Sequence, residues 1–424
     1  MRKQMRVLGL GMFATILVAA CSGSTATTAP ASEAATAASS EAASQPASGA
    51  PASPAGEAAK VRLQLQWAPQ AQFAGYFAAA AQGYYAAENL EVDILDGGPT
   101  IVPQQVGSAP DGPEFTISWV PKVLEARESG SDLVDIAQIF QRSGTLSVTW
   151  KDSNITDPCA LAGKKVGVWD FGNEFEVTAG LSTACGLTPG LENNGDPATQ
   201  YQKVIQAFDM VAFLNKEIDA AEAMIYNEYA QVLEATNPAT GELYKPEDLN
   251  IINWNDVRSA MLQDAIFARE AWLKEGTNRD VAVRFVRASL KGWIYCRDNP
   301  ADCVKATTDA GSQLGAGHQA WMMNEINALI WPSPGGVGAL DPITWNQTVQ
   351  VAKASPVGSF LMMPAALAIR TVCAQRSGSS VPTPSGDGQT SALTSFIIHF
   401  WWPAPIRLPA AVASATQSSG WSRQ

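Results

Sequence analysis

The chain has 424 residues, and its 28 Lys and Arg against 40 Asp and Glu leave a net charge of −12. That excess of acid argues against a nucleic-acid partner. Hydrophobic residues make up 46% of the chain, enough for one large core or two smaller ones, while the two histidines give little material for histidine-based catalysis.

Arg2, Lys3 and Arg6 precede an uncharged apolar run, Val7 to Ala20. The run is shorter than the about 20 residues an ordinary membrane-spanning helix needs. A basic start followed by a short apolar segment reads as a secretory signal over residues 1–20. The run closes on Leu17-Val18-Ala19-Ala20-Cys21, which resembles the bacterial lipobox, with Val18 where Leu is usual. The resemblance implies cleavage before Cys21, lipid on its sulfur, and a protein held at the outer face of the cell membrane by its acyl chains alone. Residues 21–59 then form an Ala/Ser/Thr/Pro/Gly tether whose charges are Glu33, Glu41 and Glu57. Such a composition cannot bury a core.

The patterned body starts at Lys60. Val61–Trp67 alternates apolar and polar residues like a strand, Gln72–Ala87 has helical spacing, and Leu90–Leu95 alternates again. Phe115–Ser118 reads as a short buried strand, Val120–Glu128 as a helix, and Leu133–Trp150 as further strand material. A second cycle follows. Val166–Trp169 is a strand, a helix starts at Glu174, and Lys203–Ala207 is another strand. Met210–Asn215 and Ala220–Ala235 read as helical, Leu249–Asn253 as the returning strand, and Trp254–Asp264 as the crossing back. Asp280–Trp331 is strongly helical, with Val283, Val286, Leu290, Trp293 and Ile294 on one face. Strands alternating with helices predict an α/β fold with mostly parallel sheets, here as two lobes joined by crossings and a ligand cleft between them. The expected division is a first lobe over 60–155, a second over 156–250, and a helical return to the first over 251–354.

Cysteine usage suits an oxidising compartment, where Cys159 with Cys185 and Cys296 with Cys303 are plausible local pairs; spacing alone proves neither. Cys373 is left over. It lies in a tail, residues 355–424, whose character changes: one acidic residue, Asp387, stands against four arginines, and the run Phe396-Ile-Ile-His-Phe-Trp-Trp402 fits no surface helix. This reads as a replaced C-terminus of the kind a frameshift produces.

Leu65-Gln-Trp-Ala-Pro-Gln-Ala-Gln-Phe-Ala-Gly-Tyr76, Ala81-Gln-Gly-Tyr-Tyr85 with Asn89-Leu-Glu-Val, and Gly163-Lys-Lys-Val-Gly-Val-Trp169 carry a resemblance over residues 60–350. They resemble ABC-transporter solute-binding proteins of the nitrate/sulfonate/taurine and thiamine-pyrimidine-precursor group. The resemblance implies a type II periplasmic-binding fold and permease and ATPase partners, with no cofactor. Val168–Glu176 and Ala223–Tyr229 are similar to riboflavin-binding members from green non-sulfur bacteria and also resemble pyrimidine-precursor binders. Riboflavin ranks first as ligand; hydroxymethylpyrimidine or formylaminopyrimidine is the alternative.

A flat heteroaromatic needs stacking faces and edge hydrogen bonds. Trp67, Phe73 and Tyr76 follow the first strand, Trp119 the third, and Trp169 ends the first strand of the second lobe. These are the candidate stacking residues, with the ordinary core as their competing role. Asn173 and Glu174 at a strand-to-helix turn, together with Tyr226, Asn227 and Glu228, are the candidate edge partners; a solvent-facing helix end is the competing role for the latter three. Gln70 and Asp264 are weaker candidates. The motifs His-Glu-x-x-His, Cys-x-x-Cys and Gly-x-Ser-x-Gly do not occur. The cysteine-rich motif of fungal pyrimidine synthases has no counterpart either, so a binding protein is expected in place of an enzyme. A structural lipoprotein is the remaining alternative.

Overall fold

The structure, a computed structural model, describes residues 56–170 and 172–356. The signal segment, Cys21, most of the tether, and the tail beyond residue 356 with Cys373 lie outside the described residues.

Eleven strands form two sheets among these residues. They are β1 (Ala59–Gln64), β2 (Leu90–Leu95), β3 (Phe115–Trp119), β4 (Leu133–Gln138), β5 (Thr145–Trp150), β6 (Lys165–Val168), β7 (Thr188–Pro189), β8 (Gln200–Ile205), β9 (Ala220–Met224), β10 (Leu249–Asn253) and β11 (Asp264–Arg269). The first sheet runs β2-β1-β3-β11-β4 and the second β10-β5-β9-β6-β8-β7. β1 is parallel to β2 and β3, whereas β11 inserts antiparallel between β3 and β4. The chain therefore leaves the first lobe through residues 139–144 and returns through 254–263. This is the two-lobed α/β arrangement expected from the sequence.

The crossings correct the expected lobe limits. β5, assigned to the first lobe, pairs with β9 and β10 in the second, and β10 closes that sheet's other edge. The alternating pattern of β5 could not say which sheet it joins. A second correction concerns Ala220–Ala235, expected to be helical throughout. Residues 220–224 form β9, buried along its whole length between β5 and β6, and the helix is confined to Glu228–Glu234. Alanine favours helix intrinsically, yet here its small side chain is what lets a central strand sit between two packed layers.

The first-lobe core gathers on the face covered by helices Ala74–Ala81, Asn278–Asp298, Pro300–Asp309 and Ala316–Ile330. Phe115 stacks on Phe285 at 3.8 Å between centroids, and Tyr85 stacks on Phe285 at 5.4 Å. The helices Ala74–Ala81 and Asn278–Asp298 meet at glycines: a Cβ on Gly292 would overlap the Gly75 carbonyl oxygen, and one on Gly75 would enter the Trp293 ring. Helix Gln72–Ala87, expected as one piece, breaks at Gly83, whose φ of +70° lies in the left-handed region. Both expected disulfides are present, with Cα separations of 5.2 Å for Cys159–Cys185 and 5.5 Å for Cys296–Cys303.

The two crossings are tied together by polar groups. Glu176, on the second-lobe helix Phe175–Cys185, accepts from Ser143 Oγ at 2.6 Å in the first crossing and from Met261 N at 3.1 Å in the second. Gln263 accepts from Gly144 N and donates to Thr145 Oγ1 at 2.8 Å. Helix Pro342–Ala354 packs across this junction against helices from both lobes, and Thr348 Oγ1 accepts from Leu262 N.

Candidate functional site

Strand C-terminal ends of both lobes point into the space between them, as expected of open α/β sheets. The cleft there is open to solvent, and the empty space in it, solvent at the mouth included, is about 710 Å³. Of the residues singled out from sequence, Trp67, Gln70, Trp119, Trp169, Asn173, Tyr226, Asn227 and Glu228 lie on its wall.

The apolar part of the wall is aromatic and drawn from both lobes. Phe208, just beyond β8, sits 4.6 Å from Trp67 and 6.0 Å from Trp169 between ring centroids, the latter pair stacked at 18°. Phe208 is 38% exposed, so its ring is still available to a partner. Trp169 is held by two bonds: its backbone N–H donates to Glu222 Oε2 and its Nε1–H to Ala207 O.

The polar floor is organised by Asp264, the first residue after the return crossing. Its Oδ1 accepts from Gln66 Nε2 at 2.8 Å, Gln72 Nε2 at 3.1 Å and Trp119 Nε1 at 2.7 Å; its Oδ2 accepts from Gln72 Nε2 at 2.9 Å. Burial pushes its pKa up to about 7 despite those donors and the charge of Lys122. Asp264 thus lies behind the wall and orients three side chains that form it.

On the second lobe, Tyr226, Asn227 and Glu228 occupy the turn between β9 and helix Glu228–Glu234, and all three are buried. The solvent-facing helix end considered for them does not occur. Glu228 accepts from Met224 N at 3.0 Å and from Asn227 Nδ2 at 2.8 Å, and burial pushes it up to about 7. Burial and the charges of Asp264 and Glu228 hold the Tyr226 hydroxyl well above its ordinary value, so it is a neutral donor. Asn227 Oδ1 also meets His318 Nε2 at 3.1 Å, and His318 Nδ1 meets Glu234 at 3.0 Å, joining helix Ala316–Ile330 to the second lobe.

Besides Asp264, three expected residues are not brought to the wall. Phe73 and Tyr76 lie in the first-lobe core, Tyr76 edge-on to Trp293 at 5.6 Å; both belong to the helical segment that turns inward after Gln70. Glu174 folds back on its own turn and accepts from Gly172 N at 3.0 Å, while Asn173 Nδ2 donates to Asp170 O. The Gly172 N–H is therefore used within the turn itself. Sequence reasoning missed Phe208, Lys122, Gln66, Gln72 and Gln104, all on the wall. Phe208 follows the end of β8 as Trp169 follows that of β6, so the strand-end rule could have found it.

Residues 70–303 match the family described as "NMT1/THI5 like". The riboflavin-binding protein RibY of Chloroflexus aurantiacus is 25% identical over 360 residues, spanning 83% of this chain and 93% of that protein. The formylaminopyrimidine-binding protein of Halalkalibacterium halodurans is 22% identical over 245 residues, 58% of this chain and 68% of that protein. Among solved structures, the periplasmic aliphatic sulphonate-binding protein SsuA of Escherichia coli superposes with a TM-score of 0.50 at 13% identity, over 69% of this chain and 85% of that one. That likeness is one of fold: the two-lobed type II arrangement.

Proposed function

The chain belongs to the NMT1/THI5-like family, and from that premise we propose that it is the extracytoplasmic substrate-binding lipoprotein of an ABC importer, binding riboflavin and delivering it to the permease. The observation that carries the reading is the aromatic wall shared between lobes, Trp67 from one and Phe208 with Trp169 from the other. A flat ring laid against that wall touches both lobes at once and holds them together, the lobes hinging about residues 139–144 and 254–263 to admit it. The likeness to RibY over nearly that protein's whole length supports riboflavin. Similarity to the formylaminopyrimidine binder favours a thiamine pyrimidine precursor as the second reading.

Cys21 anchors the protein in this scheme, and the tether that follows lets the lobes reach the permease and its ATPase. The wall binds by stacking and hydrogen bonding and releases its ligand unaltered. The test is calorimetric titration of the purified protein with riboflavin and with formylaminopyrimidine in parallel, followed by chromatography of the recovered vitamin. One-to-one binding of riboflavin, tighter than that of the pyrimidine and with unchanged vitamin recovered, is the expected result. Tight pyrimidine binding without a riboflavin signal reverses the ligand ranking, and a modified product revives an enzymatic role.

A further inference from the structure

Lys122 stands third in the helix Val120–Glu128, directly after β3. A helix start carries positive partial charge, so a cation is disfavoured there. The side chain is nevertheless 9% exposed and on the cleft wall. Its ammonium lies 4.7 Å from the centre of the Trp119 ring, and among the described residues no hydrogen bond or ion pair takes it. The acids around it are engaged elsewhere. Both Asp264 oxygens accept from Gln66, Gln72 and Trp119, Glu174 accepts from Gly172 N, and Glu222 accepts from Trp169 N through Oε2, its Oε1 being buried without a partner and out of hydrogen-bond reach of the ammonium. Burial pulls the ammonium down to about 8, with the charges of Asp264, Glu174 and Glu222 opposing. The stem passes close to Gly172, where a Cβ would lie 3.2 Å from Lys122 Cγ. An apolar side chain of similar length would suit the fold better at this position, and such local conflicts concentrate at functional sites.

The same wall holds two buried acceptors without partners, Gln66 Oε1 and Gln104 Oε1. The Gln66 carboxamide is oriented, because its Nε2 donates to Asp264. The first lobe thus presents one strong unpaired donor and two unpaired acceptors. A ring edge in which carbonyl and N–H groups alternate satisfies both kinds.

We propose that Lys122 is a ligand-binding residue whose ammonium donates to a ring carbonyl oxygen on the imide edge of a flat heteroaromatic, with Gln66 accepting from the single N–H of that edge and Gln104 from a hydroxyl of the same ligand. The assignment rests on the vitamin-binding reading above and specifies which edge of the vitamin enters the first lobe.

The experiment compares wild type, Lys122→Met and Lys122→Arg as full chains. Thermal melts without ligand are recorded first, then titrations at pH 7 with riboflavin and with its 2-thio and 4-thio analogues, in which a weakly accepting sulfur replaces a carbonyl oxygen. Lys122→Met is expected to melt at a higher temperature than wild type, because it removes a desolvated, unpaired charge. It is expected to bind riboflavin at least tenfold more weakly and to lose the discrimination against one thio analogue that wild type shows. Lys122→Arg, which keeps the charge, is expected to retain part of that discrimination. A lowered melting temperature for Lys122→Met makes the residue structural and overturns the assignment. So does riboflavin affinity within twofold of wild type, which leaves the vitamin-binding reading intact. Failure of wild type to bind riboflavin overturns that reading and this assignment together.

Discussion

Replacing Glu176 by Gln tests the electrostatics of the junction between lobes. Glu176 is buried where both crossings meet, and three donors, Ser143 Oγ, Met261 N and Gln263 Nε2, surround its carboxyl. Burial outweighs them and raises its pKa from the ordinary 4.5 to about 8. A raised carboxyl pKa means that the folded protein binds more protons than the unfolded chain between those two values. Stability is then fully present below about 4.5 and declines as pH climbs through about 8. At about 1.36 kcal/mol per pH unit, Glu176 alone accounts for about 5 kcal/mol of that decline. The carboxamide of Glu176→Gln is neutral throughout and keeps an acceptor for Met261 N, losing about 1 kcal/mol through its poorer match to Ser143. Urea unfolding of both proteins from pH 5 to 9 reads the effect. Wild type is expected to be the more stable near pH 5 and the variant near pH 9, so that the curves cross. Parallel curves would refute the reasoning, because they would mean that Glu176 titrates alike folded and unfolded.

Asp264→Ala strands the buried donors of Gln66, Gln72 and Trp119 and is expected to cost about 3 kcal/mol in urea unfolding, whereas Asp264→Asn, which keeps one acceptor, costs less; equal stability of the two variants contradicts the role given to the carboxylate. Phe208→Ala removes the ring that connects Trp67 to Trp169 and is expected to weaken riboflavin binding about tenfold with little change in stability, since the side chain is partly exposed. Loop entropy assigns about 3.5 kcal/mol to the Cys159–Cys185 bridge, with a sequence separation of 26, and about 2.4 kcal/mol to Cys296–Cys303, with a separation of 7. Melts of Cys→Ser pairs at each site should therefore show the larger loss at the first.

Much of the architecture is readable from periodicity. Leu90–Leu95, Val120–Glu128 and Leu249–Asn253 fall on observed elements within a residue, because alternation and helical spacing follow directly from which faces are buried. β11 escaped notice because Asp264–Arg269 is buried on both faces, which erases alternation, and β9 because alanine's helix preference hides a central strand. Site residues placed at or near strand ends, Trp67, Trp119 and Trp169, lie on the cleft wall for a topological reason that the sequence carries. Phe73 and Tyr76 follow in the same segment, but the inward turn after Gln70 takes them into the core, and no local signal marks it. Gln66, Gln72 and Gln104 read as ordinary polar residues until the fold closes; Asp264, which orients the first two, is about 200 positions away from Gln66.

The central claim, a flat ring held between aromatic residues of the two lobes, is tested most directly by riboflavin fluorescence during titration with the protein. Stacking on indole quenches isoalloxazine emission, so the emission is expected to fall to a plateau at one equivalent in wild type and to be partly restored in Trp169→Ala. Saturable binding that leaves the emission undiminished would contradict the claim, because the ring would then lie outside the Trp67–Phe208–Trp169 wall.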